Sequence, residues 1–372
     1  MISITGRELT TSQWLLRGLR LDGTLLLLIG VVLVLGLVVL FSATGEDIDR
    51  LQRQILRIGF GFAALLAVAR IPISTLRAWS PWIFLLSLGL LLAVAFAGDM
   101  GKGARRWLDL GFIRFQPSEI MKLAMPLMLA WYLSLRTAPP RFIELVVVSV
   151  LIVVPVVLIM RQPDLGTALL VAASGLLVVF LAGLGWRWFV GMGLLVAAAI
   201  PLFWAQMHDY QQQRVLTLLN PESDPLGAGY HIIQSKIALG SGGMYGKGWL
   251  NGTQSQLQFL PERSTDFVFA VYAEEFGFVG IAVLLTLYFL IVARGLWIAT
   301  LAQDRFSRLI AGSISLTFAV YMVVNIGMVS GMLPVVGIPL PLVSYGGTSL
   351  VTLMVGFGIL MAVHSRQRLV NR

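Results

Sequence analysis

Long apolar runs dominate the chain and leave few folds open to it. Ten of them, near residues 23–43, 55–70, 80–97, 117–135, 143–160, 165–184, 187–206, 267–291, 307–329 and 341–363, are candidate membrane spans. A helix needs about 20 residues to cross the hydrocarbon core, and only structures that satisfy their own backbone hydrogen bonds survive there. The charged fraction is 12% and the mean hydropathy +0.86, whereas a soluble globule carries about 25% charged residues. The expected fold is an all-α polytopic membrane protein of about ten transmembrane helices, a single membrane domain over residues 1–372. The second run is the weakest, because Arg57 stands in its first turn and Gly59 and Gly61 lower its helix propensity. No fixed-period repeat is visible.

Arginines set the orientation. With both ends inside, the cytoplasmic segments hold Arg7, Arg17, Arg20, Arg70, Arg77, Arg136, Arg141, Arg187, Arg294, Arg305, Arg308, Arg366, Arg368 and Arg372. The short outer connections then hold only Arg50, Arg53, Arg57 and Arg161, as the positive-inside rule requires. Residues 1–22 are expected to be a cytoplasmic N-terminus and 364–372 a cytoplasmic tail. The first run is too long for a signal-peptide core and no small-residue cleavage site follows it, so it reads as an anchor that stays. The net charge of +9 is scattered in short clusters, a topology pattern and not a nucleic-acid surface. Without cysteine, and with His208, His231 and His364 far apart, no disulfide framework or zinc site is expected.

The chemistry is expected outside, where all four lysines (Lys102, Lys122, Lys236, Lys247) and most carboxylates fall. The first outer loop, 98–115, combines glycines with Arg105, Arg106 and Arg114 and with Trp107, Phe112 and Phe115. It suits a phosphate clamp at the interface, or simply anionic lipid headgroups. A much longer polar insert, 207–266, separates helices 1–7 (23–206) from helices 8–10 (267–363). Loops of that size are usually functional. It carries Arg214, Lys236, Lys247, Arg263 and Asp266 among many glycines, and residues 230–238 have the periodicity of a short helix lying on the membrane.

Several residues admit two readings. Glu119 and Lys122, at i and i+3, are a site facing a cavity or a structural ion pair. Asp164 and Asp266 are functional carboxylates or helix N-caps. Glu274 and Glu275 point about 100° apart, so at most one is expected to share a cavity with Asp266. Between Asn325 and Pro341, three prolines and three glycines break the helix, which is tolerated at membrane depth only where protein buries the break or it lines a cavity.

Three separated stretches now agree. The runs Arg161-Gln162-Pro163-Asp164-Leu165-Gly166-Thr167, Leu260-Pro261-Glu262-Arg263-Ser264-Thr265-Asp266-Phe267 and Leu333-Pro334-Val335-Val336-Gly337 through Ser344-Tyr345-Gly346-Gly347-Thr348-Ser349 resemble the signature of the SEDS family (shape, elongation, division and sporulation proteins). The insert, through Gly227–Lys236 and Gly246–Gln256, is more similar to the elongation branch of the family than to its division branch. The resemblance covers nearly the whole chain and implies a peptidoglycan glycosyltransferase of the bacterial inner membrane. Such a protein polymerises lipid II on the periplasmic face, in complex with a class B penicillin-binding protein and among other elongation-complex membrane proteins and membrane lipids. By the same resemblance Asp266 aligns with an essential aspartate, and Glu119 and Lys122 with a charged pair in the central cavity. Partner contact is implied through spans, the eighth and ninth.

The implied reaction displaces polyprenyl pyrophosphate from an anomeric carbon with inversion. Pyrophosphate leaves readily if positive charge surrounds it, so one carboxylate suffices where a glycosidase needs two. Asp266 is the candidate base. Arg105, Arg106, Arg114, Lys122, Arg214, Lys236, Lys247 and Arg263 are candidate cations for the substrate, with Glu119 and Asp164 also in the binding set. Mg²⁺ or another divalent cation is an alternative role for Asp266, as its ligand; no organic cofactor is expected. The competing function is a lipid II flippase, in which Glu119, Lys122 and Asp164 would carry the headgroup across. Short cytoplasmic loops and a large outer insert favour the polymerase.

Overall fold

A computed structural model describes residues 21–97, 99–101, 104–109, 114–206, 209–224, 227–257, 259–260 and 262–370. Ten long helices stand where the ten apolar runs predict them: α1 (Gly23–Ala43), α2 (Ile48–Ala69), α3 (Ile73–Ala97), α4 (Pro117–Ser134), α5 (Phe142–Arg161), α6 (Leu165–Leu181), α7 (Trp186–Gln206), α8 (Val268–Thr300), α9 (Arg305–Val329) and α10 (Thr348–Val370). Seven of these, α1, α2, α3, α5, α8, α9 and α10, are long and apolar enough to cross a membrane, and α6 is apolar but shorter. The protein is an all-helical, multi-span membrane protein. α9 is its axis, packing on α4, α6, α8 and α10, while α10 lies along α2. Exposed Trp82, Phe96, Phe142, Leu194 and Phe289 are what an outer surface solvated by lipid presents.

Element boundaries depart from the hydropathy pattern where polar residues take structural roles. α2 begins at Ile48 and not near 55, because Asp47 caps it, its carboxylate accepting from the Arg50 amide at 2.9 Å. The polar first turns are therefore helix, and they carry Arg50, Arg53 and Arg57 on one element. The last span begins at Thr348 and not at 341, since residues 341–347 belong to the turn before it. The first outer loop is not irregular. It holds a small antiparallel sheet in the order β1 (Asp99–Gly101), β2 (Ala104–Asp109), β3 (Arg114–Phe115), with Leu108 opposite Phe115.

The largest departure is in α8, which is broken at Gly277 (φ 63°, ψ −162°). A break at membrane depth strands backbone groups at a cost of several kcal/mol each. Here the insert supplies their partners. The Lys247 and Gly248 amides donate to the Glu274 and Glu275 carbonyls, both at 3.0 Å, and the Phe278 and Val279 amides donate to the Gly243 and Met244 carbonyls at 2.9 and 3.0 Å. A side chain on Gly277 or Gly246 would collide with the opposite backbone, so the two strands of this junction meet only because both lack one. Helix Ala228–Ser241 exists as its periodicity predicts, but it does not simply lie on the membrane: it packs on α8 and α9, with Ile232, Ser235 and Ala238 buried and the Ser235 hydroxyl donating to Val329 O at 2.8 Å.

Candidate functional site

The site grows from the turn that ends the insert. Residues 262–267 form a run of turns entering α8, and three ties hold them to the helix break after α9. Asn325 Nδ2 donates to Asp266 O at 2.9 Å and to Ile338 O at 2.7 Å. The Ser344 hydroxyl donates to Thr265 O at 2.6 Å, and the Tyr345 amide donates to Ser264 O at 2.8 Å. The Asp266 carboxylate faces Gly337, whose position for a Cβ lies 3.5 Å from Oδ2. In the same run Leu342 is held at φ 64°, a left-handed conformation that costs a non-glycine residue about 1–2 kcal/mol, as positions around functional sites often do.

A polar line leads inward from this turn along α9. Thr317, Tyr321 and Asn325 recur at i, i+4 and i+8 and therefore share one face. Lys122 Nζ lies 5.2 Å from the centre of the Tyr321 ring and 2.7 Å from Glu119 Oε1. Both members of the pair are buried. Asn325 touches the Asp266 backbone, so the α9 residues that meet the ion pair (Tyr321) and the Asp266 turn (Asn325) are about one helical turn apart, roughly 6 Å along the helix. Lys122, Thr317 and Tyr321 border a cavity of about 30 Å³. Glu119 Oε2, Ser118 Oγ, Thr317 Oγ1 and Asn325 Oδ1 are buried without partners, each at a cost of about 1–3 kcal/mol. Asp164 joins from α6. It caps that helix through the Thr167 amide at 3.2 Å and accepts from Gln116 Nε2, at the start of α4, at 2.7 Å. A Cβ on neighbouring Gly166 would stand 2.6 Å from Val336 O, which puts α6 against the same broken run.

The cations sort into three groups. Arg263 leans toward Gly45 in the α1–α2 turn, and burial and nearby Arg50 push its guanidinium below its ordinary value. Arg57 stacks over Tyr345 at 4.4 Å, and Arg53 interacts with the same side chain; in the sequence these basic residues of α2 read only as topology signals. A second group is engaged in holding the fold. Arg106 donates to the carbonyls of Gln162 (3.1 Å) and Pro163, clamping the turn before Asp164 from β2. Lys247 is 2.6 Å from Glu274, which also accepts from Thr253 at 2.9 Å and from the Gln254 amide. Arg106 and Lys247 are both candidate cations for the substrate by sequence, and in the fold each also holds a structural contact. Glu274 and Glu275 are both buried; Glu275 accepts from Ser42, so the pair organises the loop junction and not the Asp266 turn. Lys236 is exposed beside Gly331. The side chains of Arg105, Arg114 and Arg214 lie outside the described residues.

His231, on the helix Ala228–Ser241, stacks on Phe267 with ring centroids 5.6 Å apart. Its Nδ1 is buried without a partner, and burial holds its pKa below the ordinary 6.5 against the pull of Glu262 and Asp224. No cluster of three or more His, Cys, Asp or Glu stands together among the described residues. Mg²⁺, however, is commonly taken by one or two carboxylates, waters and the substrate's own phosphates, and Asp266, facing Gly337, is the carboxylate that would hold it in that mode.

A family model described as cell cycle protein, built on FtsW, RodA and SpoVE, matches residues 20–369. The chain belongs to the SEDS family. Its relatives include the peptidoglycan glycosyltransferase MrdB of Escherichia coli strain K12, 55% identical over 353 residues and 95% of each chain. A probable peptidoglycan glycosyltransferase FtsW of Trichlorobacter lovleyi is 35% identical over 94% of each. Among solved structures, a peptidoglycan synthase complex that coordinates polymerization and crosslinking contains a chain 34% identical to this SEDS protein, with TM-score 0.82, covering 93% of this chain and 98% of that one. The rod shape determining protein RodA of Thermus thermophilus is 32% identical with TM-score 0.70, over 92% and 96%.

Proposed function

We propose that this SEDS protein is a peptidoglycan glycosyltransferase that polymerises lipid II during cell-wall elongation, with Asp266 taking the proton from the acceptor hydroxyl. One observation carries the assignment of the site: Asn325 ties the Asp266 turn to the α9 face on which Tyr321 meets the Glu119–Lys122 pair of α4. A carboxylate at a break in the bundle, linked through one face of α9 to a buried cation, is where a charged lipid substrate can be met. The reaction type is supported by the name of the E. coli relative.

In the proposed step a sugar hydroxyl oxygen forms the new bond to the anomeric carbon as the bond to the lipid pyrophosphate breaks. The electron pair leaves with the pyrophosphate, and the proton passes to the Asp266 carboxylate. General-base help of this kind contributes about 10²–10⁴-fold. Arg263, with Arg53 and Arg57 behind Tyr345, stabilises the departing charge. A divalent cation, when bound, would share the pyrophosphate with Asp266. Lys and Arg bias puts the site on the periplasmic face of the inner membrane, and the similar complex supports a transpeptidase partner. The full chain with that partner is expected to extend strands from lipid II; Asp266→Ala should stop extension while the complex still forms. Unimpaired synthesis by that variant would remove Asp266 from the mechanism.

A further inference from the structure

At the end of the bundle opposite Asp266, three short connections converge on a pocket of about 510 Å³, lined by Leu181, Gln303, Arg305, Arg308 and Leu309. One water takes about 30 Å³ of liquid, so the space admits a phosphodiester headgroup with its hydration. Arg305 donates to the carbonyls of Arg136 and, at 3.3 Å, Ala182. Arg308 donates to Ala302 O at 3.4 Å. A guanidinium has five N–H donors, so both keep donors to spend, and among the described residues neither is paired with a carboxylate. The nearest acid in sequence, Asp304, is committed elsewhere: it accepts from the Ser307 amide and hydroxyl at 2.9 and 2.8 Å and from Arg366 at 2.9 Å. Two guanidiniums without a carboxylate partner among the described residues thus border a cavity whose remaining wall joins the apolar Leu181 and Leu309 to the polar Gln303.

We propose that this pocket binds the phosphate of an anionic phospholipid of the inner leaflet, with Arg305 and Arg308 on the phosphate and the two leucines against its glycerol and upper acyl chain. The arginine bias that orients the chain puts these loops inside, where anionic headgroups meet basic pockets between helices. The site is roughly 26 Å along α9 from Asn325, so it is separate from the site at Asp266 and stands whether or not that reading holds.

The test uses the full chain in detergent, titrated with phosphatidylglycerol or phosphatidylcholine and followed by native mass spectrometry; a parallel arm adds inorganic phosphate and follows the unfolding midpoint. Phosphatidylglycerol should be retained over phosphatidylcholine, and Arg308→Gln should weaken that preference roughly fivefold, the worth of one basic residue at an anionic surface. Arg305→Gln should do the same; because Arg305 also ties two loops, Arg308→Gln keeps the test valid if that variant fails to fold. Arg70→Gln and Arg77→Gln, inner-face arginines outside the pocket, should change nothing. Stabilisation by millimolar inorganic phosphate that vanishes in Arg308→Gln, without lipid preference, keeps the phosphate site and overturns its lipid occupant. No preference in the parent chain, or an equal loss in the Arg70 and Arg77 variants, overturns the site itself.

Discussion

Asn325→Ala isolates the tie between the α9 face and the Asp266 turn. The amide makes two hydrogen bonds, to Asp266 O and Ile338 O, each worth about 1 kcal/mol net. Removing it also strips a donor from two carbonyls in a buried setting, so the local latch should weaken by about 2–4 kcal/mol. Ser344 and the Tyr345 amide still hold Thr265 and Ser264, so the turn should loosen without leaving its place. For a reacting group, a displacement of about 1 Å can cost roughly 100-fold in rate. Strand synthesis from lipid II by the chain with its transpeptidase partner should therefore fall by roughly 10–100-fold, while the complex still forms and the unfolding midpoint drops by a few degrees. Synthesis within about twofold of the parent chain, with the variant folded, would mean that the Asn325 tie does not position Asp266.

Three further outcomes are expected. Lys122→Leu leaves Glu119 buried and unpaired and should cost about 3–5 kcal/mol; adding Glu119→Gln should recover part of it, measured as a double-mutant cycle on the unfolding midpoint. Glu274→Ala frees Lys247, Thr253 and the Gln254 amide together, so limited proteolysis should newly cut within 243–257. For His231, the folded-state pKa lies below 6.5, so the unfolded chain binds the proton more readily. The stability this gives is full above about pH 6.5 and falls as pH drops below it; His231→Gln should flatten the change in unfolding midpoint between about pH 8 and pH 5.5.

Apolar runs located ten helices because in a bilayer the hydrocarbon decides helix placement and length. They failed where polar residues decide instead: Asp47 starts α2 ahead of its apolar run, and the turn through Leu342 and Ser344 delays α10. The Glu119–Lys122 pair stands out in the sequence because a carboxylate and an ammonium in a span are themselves a signal, whereas Asp164 and Asp266 stand out as acids at the mouths of spans. Asp164 is an N-cap, as one of its two readings had it, and it also accepts from Gln116 across to α4. Arg53 and Arg57 were passed over since nothing in sequence brings α2 to Tyr345, nearly three hundred positions away. Separations of 56 and 27 positions likewise hid the engagement of Arg106 with Gln162 and of Lys247 with Glu274. Spacing reveals what shares a helix face, and here the α9 stripe could have been read at i, i+4 and i+8, but it does not reveal which helices meet.

The junction at Gly277 bears on how the insert can serve the site at all. A polar segment of this length attached only at its two ends would be a mobile tether, and ordering it over a substrate would cost conformational entropy at each turnover. The structure attaches it a second time. Residues 243–248 fill the gap in α8 with four backbone hydrogen bonds, and Lys247 with Glu274 closes the junction from the side. The segment from there to Asp266 is therefore a loop with both ends at the same helix, one in the turn just before its first residue and the other two to three turns along it. The closure entropy of a loop grows only slowly with its length, so the benefit lies in fixing the approach of the chain to Asp266. A continuous α8 would bury its own hydrogen bonds and leave residues 243–248 without partners, which is why the break and the order of the insert must be gained or lost together.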